Sequence, residues 1–167
     1  VADQENILSD STLNNPTEEI NPEPIEELLR ENTTINADDV FSKDFVPPTL
    51  IKENIFFTTE REVYSDENPI PVNPKLPKGL IYKVQVGAFR NPIPQNLFKG
   101  FAPISAEIVR DDITRYRVGY FKNYETANQA KNQVRALSNS YRDAFVVALN
   151  NGERITLSQA RALQQNS

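Results

Sequence analysis

The segment Leu80–Phe89 constrains the fold of this chain more than any other stretch. Its sequence is LIYKVQVGAF, in which Tyr82 and Val84 alternate with Lys83 and Gln85. Alternation with a period of two is typical of a β-strand whose two faces differ in polarity. An amide flanked by β-branched residues also suits a sheet. We therefore expect a strand with Tyr82 and Val84 facing a core, and with Lys83 and Gln85 on an uncovered face.

A second segment, TRYRVGYF, repeats the end of the first strand, because in both a Gly is followed two residues later by a Phe. The alternating run Ile104–Arg110 precedes it, and Asp111-Asp112 predicts a turn between the two strands. Next comes an Ala-spaced amphipathic helix, Tyr124–Leu137, which Asn123 can cap. A last apolar strand follows at residues 143–149.

Between the first two strands the sequence supports only one weak helical turn, at residues 94–99 before Gly100. The predicted order is therefore strand, weak helix, strand, strand, helix, strand. This order indicates an α+β fold of the ferredoxin-like, or RNP-like, βαββαβ kind, an antiparallel sheet with its helices on one face.

Charge divides the chain into two parts. Residues 1–76 hold 17 acidic and 5 basic side chains, whereas residues 77–167 hold 6 acidic and 13 basic ones. We expect an acidic, Pro-containing arm over residues 1–76, with one short helix at residues 24–31. The basic domain would cover residues 77–150. Residues 151–167 would form an extension, in which a capping box at Thr156 starts a short helix.

Four Pro residues within residues 68–77 predict a stiff spacer that holds the arm and the domain apart. The arm itself contains apolar anchors, among them Phe56, Phe57 and Tyr64. Two roles are open for these anchors. They can dock a partner protein, with residues 54–64 adding a strand to a sheet edge, or they can pack on the second half of the chain.

The sequence argues against catalysis. It contains no Cys and no His, which removes the thiolate nucleophile, the usual general base and the commonest transition-metal ligands. Neither a Gly-rich phosphate loop nor a metal-ligand spacing is present, so we expect no metal or other cofactor. We expect no membrane-spanning segment either, since no apolar run approaches about 20 residues. No signal peptide is visible.

At YKVQVGAF, at YRVGYF and at the helix that follows, the chain resembles the SPOR domain, a bacterial module that binds peptidoglycan. The resemblance spans about Leu80 to Leu149. It implies a non-catalytic protein of the periplasm or cell envelope whose ligand is a peptidoglycan glycan strand stripped of its stem peptides. The family's Gln corresponds to Gln85 and the Arg of its third strand to Arg115. Its Gly-Pro-Phe corresponds to residues 119–121, where Tyr120 replaces Pro.

The resemblance places a glycan-binding site at Lys83, Gln85, Arg115 and Arg117, on the uncovered sheet face. An amide both donates and accepts hydrogen bonds, and a guanidinium matches the lactyl carboxylate of a stripped glycan. The structural alternative is an ordinary solvated charged face.

Two other functions remain open. The chain can be a structural subunit of an envelope complex, for example at the outer membrane, in which the arm docks other envelope proteins and the domain is a scaffold. RNA binding also uses the βαββαβ order, but the aromatic signature of RNA-recognition modules is missing from the third strand, so we expect no nucleic-acid partner.

Overall fold

The computed structural model describes residues 34–110 and 112–166. The described elements follow in chain order: α1 Ala37–Val40, β1 Phe57–Thr58, β2 Leu80–Phe89, β3 Phe101–Ala102, β4 Ile104–Arg110, β5 Ile113–Phe121, α2 Tyr124–Leu137, a 3-10 turn Asn139–Tyr141, β6 Phe145–Asn150, β7 Glu153–Ile155 and α3 Leu157–Gln165.

Five strands form one antiparallel sheet in the order β4-β5-β2-β6-β7. The predicted strand β2 lies at its centre, where Gln85 is opposite Arg117 of β5 and Phe145 of β6. On the far side of β5, Arg117 is opposite Ser105 of β4. The predicted α+β class and antiparallel sheet are confirmed, and the sheet is consistent with a ferredoxin-like fold.

The helix α2 covers one face of the sheet and contacts β2, β5 and β6. It starts where the Asn123 side chain accepts a hydrogen bond from the Thr126 backbone, as the sequence predicts. Ala127, Ala130 and Val134 form its buried stripe, and the small Ala side chains let the helix lie close to the strands. The core of this face therefore depends on a local pattern that the sequence displays.

Residues 34–76 pack against the sheet and along its edge strand β4, and we call them the covering segment. They contribute Val40, Ile55, Tyr64 and Ile70 to the buried core. Ile55 exchanges two backbone hydrogen bonds with Tyr120, of 2.8 and 3.0 Å. A single compact unit extends over Thr34–Ser167. Of the two roles open for the apolar anchors, packing on the second half of the chain is the one observed.

The spacer predicted at residues 68–77 is wrong, because this stretch runs along the outer edge of β4. The Asn73 N–H donates to the Ala106 carbonyl at 2.7 Å, and the Ala106 N–H donates to the Pro71 carbonyl at 2.9 Å. The Asn73 side chain also accepts a bond from the Ile108 N–H. Proline lacks an N–H group but keeps its carbonyl, and the Pro71 carbonyl pairs with β4.

Three further differences concern the connections and the ends of the chain. The segment at residues 94–99 forms a non-helical turn instead of the predicted turn of helix. After a turn at residues 151–152, β7 adds a fifth strand, and α3 begins at the predicted capping box and extends to Gln165. The helix predicted at residues 24–31, and Asp111 in the predicted turn, lie outside the described residues. Within those, no helix is both long enough and apolar enough to cross a membrane.

Candidate ligand-binding face

The four side chains of the predicted glycan site lie on one face of the sheet, which we call the cationic face. Gln85 of β2 and Arg117 of β5 are directly opposite each other, and Lys83 precedes Gln85 by two residues on β2. Arg115 reaches the same carboxylate as Arg117, that of Glu107. The predicted proximity of these groups is therefore observed.

The expectation that this face is uncovered is wrong. Lys83 is 1% exposed, Arg117 3% and Gln85 8%, and only Arg115 keeps an intermediate exposure. Tyr120 and the covering segment occupy the space in which a glycan strand was expected. The strand β2 is buried on both faces over residues 81–85, although its alternating sequence predicted one open side.

Lys83 lies in an unusual setting for an amine. Its Nζ donates a 2.7 Å hydrogen bond to Ser105 Oγ and lies 3.9 Å from the centroid of the Tyr120 ring. Burial lowers the pKa of Lys83 from its ordinary value to about 7, and the nearby Arg117 charge acts in the same direction. Lys83 therefore releases its proton more readily than an exposed lysine does.

The Arg117 guanidinium forms a hydrogen bond through only one of its three nitrogen atoms. Its Nη1 donates to Glu107 Oε2 at 2.6 Å. Its Nε and Nη2 are buried and make no hydrogen bond, and the neighbouring Gln85 Oε1 is likewise buried without a partner. Burial lowers the pKa of Arg117, and the negative charge of Glu107 acts in the opposite direction. Buried donors without acceptors are rare in folded proteins, so the Arg117 guanidinium has an unusual environment.

Two hollows open beside these groups. The inner one has a volume of about 170 Å³ and is lined by Lys83, Ser105, Ala106, Glu107 and Arg117 of the sheet and by Asn73, Pro74 and Leu76 of the covering segment. The outer one, of about 510 Å³, shares Pro74 and Leu76 as walls and adds Pro77, Lys78, Asn151 and Gly152. The two hollows therefore share walls where the covering segment meets the β6–β7 turn.

The predicted docking residues of the arm pack against the same chain. Tyr64 is buried, and its hydroxyl accepts a 2.7 Å hydrogen bond from the Ile104 N–H. The Phe56 ring lies 5.8 Å from the Phe121 ring, and the Phe57 ring lies 6.4 Å from the Phe41 ring, measured between centroids. Each of these rings therefore already has an intramolecular neighbour. Docking of a partner by these residues stays a prediction.

Ser105 and Glu107 belong to the face but were not predicted. Ser105 and Glu107 alternate with Ile104 and Ala106 along β4, so the strand pattern could have placed them beside Arg117. Nothing local could have shown that Tyr120 covers Lys83, because the bulge around Gly119 determines that side chain's direction. Among residues 34–110 and 112–166, no three acidic side chains converge as a metal site.

Comparisons with protein-family models, with curated proteins and with solved structures give no match for this chain.

Proposed function

We propose that this protein is a non-catalytic module that binds peptidoglycan glycan strands and so localises a cell-envelope protein. The proposal starts from the resemblance of residues 80–149 to the SPOR domain. One observation of the fold supports it further. Two hollows share Pro74 and Leu76 as walls, and the smaller of the two is also lined by Lys83 and Arg117 of the cationic face.

The outer hollow has the chemistry of a saccharide site. Pro74 and Leu76 offer apolar surface for a sugar ring, and Lys78 offers an ammonium donor at the rim. The side-chain oxygen of Asn151 accepts a 2.8 Å hydrogen bond from the Gly79 N–H, and this bond orients the Asn151 side-chain amide. A volume of about 510 Å³ lies within the range of small-ligand sites. Under this proposal the glycan lies against the rim of the cationic face instead of across the sheet.

Retention of the protein on purified sacculi tests this function. We expect retention on sacculi stripped by an amidase, and less on untreated sacculi, whose stem peptides occupy the lactyl groups. Lys78→Glu should reduce retention about threefold to fivefold, which corresponds to roughly 1 kcal/mol. Lys122→Glu is the matched control, since it makes the same charge change at an exposed residue that lines neither hollow. Equal retention of both variants, or none of the wild type, would reject the proposal.

The alternative of a structural envelope subunit has a separate readout. Val46 and Leu50 of the covering segment expose large apolar side chains, so a partner protein can contact them without unfolding the chain. If the wild type is not retained on sacculi, loss of complex assembly in Val46→Asp and Leu50→Asp would favour this alternative.

A further inference from the structure

Lys83 is a buried amine that forms no ion pair with a carboxylate among the described residues. Its side chain is 1% exposed, and its Nζ contacts the Ser105 hydroxyl and the Tyr120 ring. On the neighbouring strand β6, the residue opposite Lys83 is the apolar Val147. Lysine is almost never fully buried unless it is paired, because an unpaired ammonium loses its hydration without compensation. This environment therefore favours the neutral amine.

The charges around Lys83 favour a negative group over a positive one. Arg117 of β5 disfavours the ammonium form of Lys83, whereas Glu107 of β4 favours it. Among the residues that line the inner hollow, Glu107 is the one carboxylate, and its two oxygens already pair with Arg115 and Arg117. Arg154 of β7 adds a further positive charge that acts on Arg117. An anion formed at Lys83 would therefore meet more attraction than repulsion.

The inner hollow gives Lys83 room for a small reactant. Lys83 and its hydrogen-bond acceptor Ser105 both line this hollow, whose volume is about 170 Å³. The covering segment contributes Asn73, Pro74 and Leu76 to the walls, and none of these carries a charge. One water occupies roughly 30 Å³ in the liquid, so a reactant of three heavy atoms fits. The reactant must also give a negative product, since the arginines nearby favour one.

We propose that Lys83 is a modification site for carbon dioxide, which its neutral amine converts into a carbamate in the inner hollow. The Nζ lone pair forms a bond to the carbon of CO2, and the electrons of one C=O π bond become the negative charge on oxygen. One Nζ proton passes to water or bicarbonate, so no further reactant is needed. The Ser105 hydroxyl, which accepts from the amine, would then donate to a carbamate oxygen. An aldehyde would instead give a neutral or cationic imine. This inference does not rest on the proposed function.

Nuclear magnetic resonance with carbon-13-labelled bicarbonate tests this site directly. At pH 8 we expect a carbamate carbon resonance in the wild type that increases with bicarbonate and saturates. Lys83→Met should lose this resonance. Lys122→Met is the matched control at an exposed lysine outside both hollows, and it should keep the resonance. No resonance in the wild type, or one of equal size in Lys83→Met, as the α-amino group alone would give, would overturn the proposal.

Reaction with cyanate tests the same amine in the wild type alone, which covers the case in which Lys83→Met does not fold. Isocyanic acid is about as small as CO2, and it carbamoylates neutral amines irreversibly. At pH 7.5, peptide mass spectrometry should show Lys83 modified at least about tenfold faster than Lys122, because an exposed lysine is almost wholly protonated at this pH. In guanidinium chloride the two rates should become equal. Equal or slower modification of Lys83 in the folded protein would overturn the site, since the amine would then be closed to small reactants.

Discussion

The amine of Lys83 lies 3.9 Å above the ring of Tyr120, and its hydrogen-bond acceptor is the hydroxyl of Ser105. A cation gains electrostatic energy over an aromatic face, yet this gain does not replace the solvation that Lys83 loses. The pKa of Lys83 is consequently lowered to about 7, mainly by burial. In the unfolded chain the same amine keeps its ordinary pKa near 10.5.

Stability should therefore increase with pH through the action of Lys83. Between about pH 7 and 10.5 the unfolded state binds the proton and the folded state does not, so raising the pH favours folding. The slope is at most about 1.4 kcal/mol per pH unit. Urea unfolding from pH 6 to 9, compared with that of Lys83→Met, isolates this contribution. Parallel pH curves for the two proteins would contradict it. The range stops at pH 9 because Tyr64 ionises near pH 10 in the unfolded chain, whereas burial raises its pKa to about 12 in the folded protein. Above pH 9 this difference would add a second pH dependence.

Gly119 and Gly79 provide a matched pair of substitutions. Both have a positive φ, +76° for Gly119 and +79° for Gly79. A Cβ at Gly119 would clash with the Phe121 ring, whereas one at Gly79 has no heavy atom within 4 Å. Gly79→Ala should cost about 1–2 kcal/mol for the left-handed backbone alone. Gly119→Ala should cost about 2–5 kcal/mol, because overpacking adds to it. Equal losses in chemical denaturation would show that the bulge relaxes.

Tyr64 joins the covering segment to the sheet through one buried hydrogen bond. Tyr64→Phe removes the acceptor of the Ile104 N–H and leaves that donor buried, so the free energy of unfolding should decrease by about 1–3 kcal/mol. Tyr124→Phe is the control, since Tyr124 lies on the helix side of the sheet and packs its ring at 6.1 Å from Tyr82. The control should change stability by less than about 0.5 kcal/mol. A loss of the same size in both variants would count against the bond.

Truncation tests whether the covering segment belongs to the folded unit. A fragment of residues 34–167 should unfold cooperatively. A fragment of residues 77–167 loses Val40, Ile55, Tyr64 and Ile70 from the core and leaves Lys83 and Arg117 exposed. We expect it to bind a hydrophobic dye and to lack a sharp thermal transition. Cooperative unfolding of the shorter fragment would mean that residues 34–76 add stability without completing the core.

Local patterns predicted most of the sheet and its main helix. The bounds of β2, β4 and α2 agree with the predicted residues, because alternation, turn residues and the Asn123 cap act over a few positions. The capping box of α3 was predicted for the same reason. By contrast, β7 has only three residues, and its pairing with β6 depends on the turn that precedes it.

The cover over the cationic face could not be predicted from local patterns. The contact of Ile55 with Tyr120 joins residues far apart in the sequence, and the acidic composition of residues 1–76 suggested a solvated arm. Charged side chains such as Lys83 and Arg117 are seldom fully buried, so the sequence favoured an open face. The proximity of the site residues follows from strand register, whereas their exposure depends on what the rest of the chain places above them.

The pairing of residues 71–73 with β4 has a consequence for self-association. A bare rim of a sheet templates further strands from other molecules, and proteins guard such rims against polymerisation. Here Pro71 and Pro74 flank the guarding stretch and have no N–H to donate outward, so an incoming chain finds an interrupted ladder. At high concentration, oligomers should therefore grow by strand addition at the rim formed by β6 and β7.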